Sequence, residues 1–208
     1  MNDRLIVAIT GASAPQLGVS LLRAARALGT LETHLIVSAG GRRTIELELD
    51  SLSIADVETL ADVVHAPDDM AAPISSGSFR TLGMAVVPCS MGRLAAIANG
   101  LSDDLVARAA DVCLKERRPL VLATREAPLS LVHIRNMEAA TLAGATIFPP
   151  VLSFYHRPRT PQDIVDHAVG RILDQLGIDH ELSSRWSGAT PDSSSTSRAP
   201  SSSPSTSP

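Results

Sequence analysis

Short apolar runs alternate with amphipathic segments along most of this chain, and that rhythm admits few architectures. Leu5 to Thr10 (LIVAIT), His34 to Ser38 (HLIVS), Met84 to Pro88 (MAVVP), Pro119 to Ala123 (PLVLA) and Thr146 to Pro149 (TIFP) each read as a buried parallel strand. Helical patterns lie between them. Leu17, Leu21, Leu22, Ala25 and Leu28 share one face of a helix that stops near Gly29. Further helices are predicted at Gly41 to Leu49, Asp103 to Lys115, Leu129 to Leu142 and Ile164 to Leu176. Strand-helix alternation of this length requires right-handed crossovers and implies an α/β fold, a doubly wound parallel sheet. Ligands of such sheets sit at the carboxyl ends of the strands, so the strand exits are where chemistry is sought.

Composition narrows the function classes. A chain of 208 residues, 44% hydrophobic, can bury one sizeable core, and with 2% aromatic residues that core is built from Leu, Val, Ile and Ala. The formal charge of −4 offers no basic field for nucleic acid. No apolar run approaches the ~18 residues of a membrane span, and no leader is evident at the N-terminus. Two cysteines, Cys89 and Cys113, stand outside metal or disulfide spacings, and the six histidines form no HExxH. A reducing, cytoplasmic setting is expected. Residues 1–186 read as one domain. The stretch from Ser187 to Pro208, rich in Ser, Pro and Thr, reads as a disordered tail, with too little apolar surface to offset its ordering entropy.

Five strand exits carry the candidates. "TGASAPQLG", Thr10 to Gly18, is a small-residue turn into a helix; Ser13 is a plausible N-cap and Pro15 suits the first turn. Such a turn can hold a phosphate on its N–H groups or can simply be a capped helix. Ser38 leads into a segment with Glu46, Glu48 and Asp50, residues that usually form a solvated face. "PCSMGRLAAIANG" follows the third strand, with Ser90 as a cap and Cys89 a small buried hydrophobe rather than a nucleophile. Arg125 and Glu126 leave the fourth strand at the ligand edge. The cations Lys115, Arg117 and Arg118 precede that strand and match a helix C-terminus. "SFYHRP" holds Tyr155, the single tyrosine, and Arg171 follows in "VGRILDQLG".

Over Arg4 to about Trp186 the chain resembles the flavin prenyltransferase family, the UbiX type. "ADVCLKERRPLVLATREAPLS", "FYHRP" and "APISSGSF" carry the resemblance, supported by "VVPCSMGRLAAIANG" and "RILDQLGI". It implies a Rossmann-like or flavodoxin-like sheet in a cytoplasmic homo-oligomer, commonly a dodecamer. It also implies metal-independent transfer of a dimethylallyl group from dimethylallyl monophosphate to N5 and C6 of reduced FMN. The product, prenylated FMN, serves UbiD-type decarboxylases. Position by position, Gly11, Ala12, Ser13, Ser38, Ser90, Met91, Gly92 and Arg93 resemble the FMN-binding residues, and Arg125 the residue contacting both flavin and phosphate. Arg108, Lys115, Arg125, Glu126, Tyr155 and Arg171 resemble a dimethylallyl phosphate site assembled across subunits. Ser13, Glu48, Lys115 and Glu126 take the catalytic roles, Glu48 with Ser13 handling a proton near N5 and Glu126 orienting the cations. The residue types suit that chemistry. Breaking an allylic C–O bond builds charge on the departing phosphate, which arginines and a lysine stabilise most in the transition state. A non-catalytic FMN carrier is the alternative reading. A cysteine decarboxylase of related fold is disfavoured because no PxMNxxMW-like segment is present.

Several positions depart from the family pattern. Leu17 lies near where an aromatic residue is usual, and Met70 stands where some members place a Trp. Ala14 stands where a Gly is usual, so a positive φ there would cost roughly 1 kcal/mol or more. Pro15 removes an N–H next to it, and Arg93 replaces the usual Thr.

Overall fold

In the computed structural model, which describes residues 3–182, all five apolar runs form strands. The proposed tail and the domain boundary at residue 186 lie outside the described residues. The strands are β1 (Asp3–Ile9), β2 (Leu31–Val37), β3 (Val63–His65), β4 (Gly83–Cys89), β5 (Leu120–Thr124) and β6 (Thr146–Ile147). The helices are α1 (Gln16–Leu28), α2 (Ala39–Glu48), α3 (Ile54–Glu58), α4 (Met91–Ala98), α5 (Leu105–Lys115), α6 (Leu131–Leu142) and α7 (Pro161–Gln175).

All pairings are parallel, in the order β3-β2-β1-β4-β5-β6. The order reverses between β1 and β4, which makes their carboxyl ends the natural crevice of the sheet. The two-residue side-chain period divides the core. Leu5, Val7 and Ile9 pack with Leu21 and Leu22 of α1 and with Val169, Ile172 and Leu173 of α7. Ile6 and Ala8 face the other way, onto Met84 and Val86 of β4 and Leu105, Ala109 and Cys113 of α5. Each fully buried Leu or Ile contributes about 1.5–3 kcal/mol. α1 ends at Gly29, whose φ of 67° suits glycine.

The structure corrects several expectations. The second strand begins at Leu31 rather than His34. The TIFP run pairs only through Thr146 and Ile147, because Pro149 and Pro150 have no N–H to give. Pro15, not Ser13, is the N-cap of α1, and no side chain caps that helix. Strand β3 and helix α3 were not foreseen; at three and five residues they are too short to show periodicity.

Two further features bear on function. A buried polar chain crosses β2 and β3: His34 Nδ1 lies 2.9 Å from His65 Nε2, and His34 Nε2 lies 2.9 Å from Glu32 Oε1. Glu32 Oε1 also accepts from Arg4 Nε at 3.1 Å, and the Arg4 guanidinium sits 4.4 Å over the Phe79 ring. Burial and the neighbouring His34 hold the His65 imidazole below its ordinary pKa. On the surface, α6 buries only Ala140. Leu131, Val132, Ile134 and Leu142 are exposed, as are Val151, Leu152 and Phe154 beyond the last strand. Apolar surface of that extent marks an interaction face. Among the described residues no helix is long and apolar enough to cross a membrane.

Candidate functional site

The strand exits are stitched together by hydrogen bonds of the backbone and of the Thr10 hydroxyl. Thr10 Oγ1 donates to Pro88 O at 2.7 Å and accepts from Ser90 N–H at 2.8 Å, joining the ends of β1 and β4. Ser38 N–H donates to Ile9 O at 3.0 Å, and Arg125 N–H to Cys89 O at 3.3 Å. Gly11 and Gly40 touch: a Cβ on Gly11 would fall 3.0 Å from the Gly40 Cα. These ties leave a cleft of about 530 Å³ lined by Thr10, Gly11, Ser38, Gly40, Ser90 and Arg93, among others. Ser38 Oγ caps α2 by accepting from Gly41 N–H, and Ser90 Oγ caps α4 by accepting from Arg93 N–H. The N-termini of two helices of eight residues or more therefore meet at one cleft, a setting that favours an anion.

The first loop is held from α2. Glu48 Oε2 accepts from Ser13 Oγ at 3.1 Å and from Ala14 N–H at 2.9 Å. Ala14 has φ 78°, so the cost foreseen for a non-glycine residue at this position is present. Arg93 is clamped by both acids at the start of α5. Its Nη1 lies 2.7 Å from Asp103 Oδ1 and its Nη2 2.7 Å from Asp104 Oδ2. The nearby guanidinium holds the Asp103 carboxyl below its usual range. Cys89, wholly buried, has its thiol pushed up to about 12 by burial, which bears out the reading of a buried hydrophobe.

The remaining candidates fall into three groups within one chain. Arg125 and Glu126 line a shallow 250 Å³ recess with Thr124, Ala127 and Pro149 to Val151. Glu126 Oε1 accepts from Ala127 N–H at 3.0 Å. Arg108 and Lys115 lie on α5 against the segment Ser75 to Gly77. Arg108 Nε donates to Ser75 O at 3.1 Å, and a Cβ on Gly77 would meet Lys115 Nζ at 2.6 Å. Lys115 pairs with Glu116. Lys115 precedes β5 and Arg125 follows it, so the strand separates them by its length of five residues. Within one protomer Lys115 and Arg125 therefore stand at opposite ends of β5. Tyr155 and Arg171 form the third group, joined by a residue the sequence reading passed over: Tyr155 OH lies 3.2 Å from His167 Nε2. Arg171 follows His167 by one helical turn, and its charge acts on that imidazole. Also unforeseen were Pro67, Asp68, Asp103 and Asp104 in the lining of the cleft. Pro67 and Asp68 follow β3, which itself left no periodic trace.

Comparisons with known proteins agree with this fold. Residues 1–173 match the family described as Flavoprotein. The flavin prenyltransferase UbiX of Escherichia coli strain K12 is 51% identical over 188 residues, covering 89% of this chain and 99% of that protein. Among solved structures, AnUbiX in complex with FMN and dimethylallyl pyrophosphate superposes with a TM-score of 0.89 at 51% identity, covering 91% of this chain and all (100%) of that one. A dodecameric FMN-dependent UbiX-like decarboxylase from Escherichia coli O157:H7 does so with a TM-score of 0.86 at 53% identity, over 89% of this chain and 100% of that one.

Proposed function

The chain belongs to the Flavoprotein family, and from that membership and its likeness to UbiX proteins we infer that it is a flavin prenyltransferase. It joins the dimethylallyl group of an allylic phosphate to N5 and C6 of FMN and supplies prenylated FMN to UbiD-type decarboxylases. The observation that carries this reading is the AnUbiX structure, which matches nine-tenths of the chain and whose ligands are FMN and dimethylallyl pyrophosphate.

The cleft suits FMN. Gly11 and Gly40 leave its floor free of side chains, and the capped starts of α2 and α4 direct N–H groups into the region. Ser13, Ser38, Ser90, Met91, Gly92 and Arg93, with the backbone of Gly11 and Ala12, would hold the flavin. Reduced flavin, when bound, supplies the electron-rich partner for the allyl group. Glu48 fixes Ser13 at the mouth of the loop, where the pair can hold or pass a proton. Arg125 lines the recess of Glu126, and its N–H donates to the carbonyl of Cys89, the residue before Ser90 of the cleft. Arg108, Lys115, Tyr155 and Arg171 would complete the phosphate site from neighbouring protomers. Cations gathered there stabilise the departing phosphate more than the intact ester, which is how they accelerate the cleavage.

Assembly follows from the same reading. The exposed apolar face of α6 and of Val151 to Phe154 is the surface that a homododecamer would cover. The two free, buried cysteines fit a reducing cytoplasm.

The test is to mix the full chain with reduced FMN and either dimethylallyl monophosphate or the diphosphate, without added metal. Mass spectrometry should detect prenylated flavin with at least one donor. Tight flavin binding with no product from either donor would refute the enzyme and leave a flavin carrier.

A further inference from the structure

His167 is 8% exposed and sits on the buried side of α7, yet it is polar. Its Nε2 lies 3.2 Å from the phenolic oxygen of Tyr155, and its Nδ1 is buried without a hydrogen-bond partner among the described residues. The rings of His167 and His156 stack at 4.2 Å with 15° between planes, so its orientation is fixed by packing as well. Tyr155 meets His167 edge-on, with centroids 5.4 Å apart.

The pattern of partners decides the tautomer. If Tyr155 donated to a bare Nε2, the imidazole hydrogen would sit on Nδ1, a buried donor with no acceptor. If Nε2 carries the hydrogen and donates to Tyr155, Nδ1 is a bare lone pair. Buried N–H groups without partners are the rarer and costlier case. The doubly protonated ring is opposed by burial, then by His156, then by Arg171, all of which hold the imidazole below its ordinary pKa.

We propose that His167 is a positioning residue for Tyr155: it donates Nε2–H to the phenolic oxygen, so that the phenol's own hydrogen is turned outward to donate to the anionic substrate. This rests on the reading of Tyr155 as part of the allylic phosphate site. His167 touches no substrate. Its part is to set the direction in which the phenol's hydrogen points. A phenol whose oxygen already accepts is also the better donor, because chained hydrogen bonds polarise one another.

Tyr155 is the single tyrosine of the chain, so one labelled nucleus reports on it. The experiment is to follow the Cζ resonance of carbon-13 tyrosine in the full chain, comparing wild type with His167→Phe and His167→Gln. A donor to the phenolic oxygen stabilises the phenolate. Loss of the donor in His167→Phe should therefore raise the Tyr155 pKa, and Gln, whose amide N–H replaces Nε2–H, should keep it near wild type. A lowered or unchanged pKa in His167→Phe overturns the assignment. Dimethylallyl monophosphate is then titrated on the same resonance. Its affinity should fall about threefold to tenfold in His167→Phe and recover in His167→Gln. No response of the wild-type resonance to the phosphate overturns the substrate-facing half. Neither readout needs turnover, so a wild type that binds the phosphate and makes no prenylated flavin refutes the enzyme reading while leaving the role of His167 decided. If His167→Phe fails to fold, His167→Gln against His167→Asn, which presents its amide nearer the helix, repeats the comparison. Equal pKa values in these two overturn the proposal.

Discussion

Glu48, in the last turn of α2, accepts on one oxygen from both Ser13 Oγ at 3.1 Å and Ala14 N–H at 2.9 Å. A single carboxylate thus fixes the turn that leaves β1. Glu48→Gln keeps an acceptor and should hold FMN near wild-type affinity, with slowed product formation because the charge is lost. Glu48→Ala removes both bonds and should weaken FMN binding by about tenfold, the equivalent of ~1.4 kcal/mol. Flavin titration alongside single-turnover product analysis separates the two effects.

Ala14 carries φ 78°, where a Cβ is strained. Ala14→Gly relieves that strain but loosens the unfolded chain, so the net gain should be about 0.5–1 kcal/mol. Thermal unfolding should shift upward by roughly 2–4 °C per kcal/mol. A lowered midpoint would show that the loop is not strained in solution.

Arg93 neutralises Asp103 and Asp104 beside the flavin cleft. Arg93→Thr leaves two carboxylates facing the region where an anion is expected. FMN affinity should fall about tenfold at low ionic strength and by less at high salt, since screening weakens repulsion. A fluorescence titration at two salt concentrations tests this, and an unchanged affinity at both would contradict it.

Arg171 pairs with Asp174 at 2.9 Å, outside the flavin cleft. Arg171→Ala should cut prenylated flavin by about 100-fold, the usual cost of removing one stabilising donor from a developing oxyanion. Oxidised FMN should bind as before. Parallel loss of binding and turnover would mean that the flavin and phosphate sites are not separate.

His65, against His34, is held below its ordinary pKa of 6.5 by burial first and by its neighbour second. The unfolded chain therefore takes up the proton first as pH falls. Stability is full above 6.5 and declines as pH drops through that value toward the folded pKa. The slope for this proton is at most about 1.4 kcal/mol per pH unit. Urea unfolding across this range should show it, with a shallower slope in His65→Gln. His167, also lowered, adds to the slope in the same direction and remains in that variant.

The parallel sheet was readable because Leu5, Ile6 and Val7 or Val86 and Val87 form unbroken apolar runs, the mark of strands covered on both faces. β3 was not readable, because Val63, Val64 and His65 are too few to set a period and only His65 is buried. Ser90 could be recognised as a cap from local sequence, since a cap acts within three residues. Ser38 reads there only as a strand exit, because its helix begins at Ala39, earlier than the pattern predicts. Ser13 could not be distinguished from a cap, because its partner Glu48 is 35 residues away. His167 was hidden for a similar reason: twelve residues separate it from Tyr155, and on the helix it resembles any buried polar side chain.

Gly11 and Gly40 approach within backbone contact. The gap between the turns after β1 and β2 is therefore a main-chain dimension, and no rotamer can widen it. A methyl group on either residue would act as a wedge, parting the two turns and with them the cleft floor. Tolerance for a bulkier or altered flavin must come instead from the open flank at Gly92, where an added Cβ meets nothing within 4 Å.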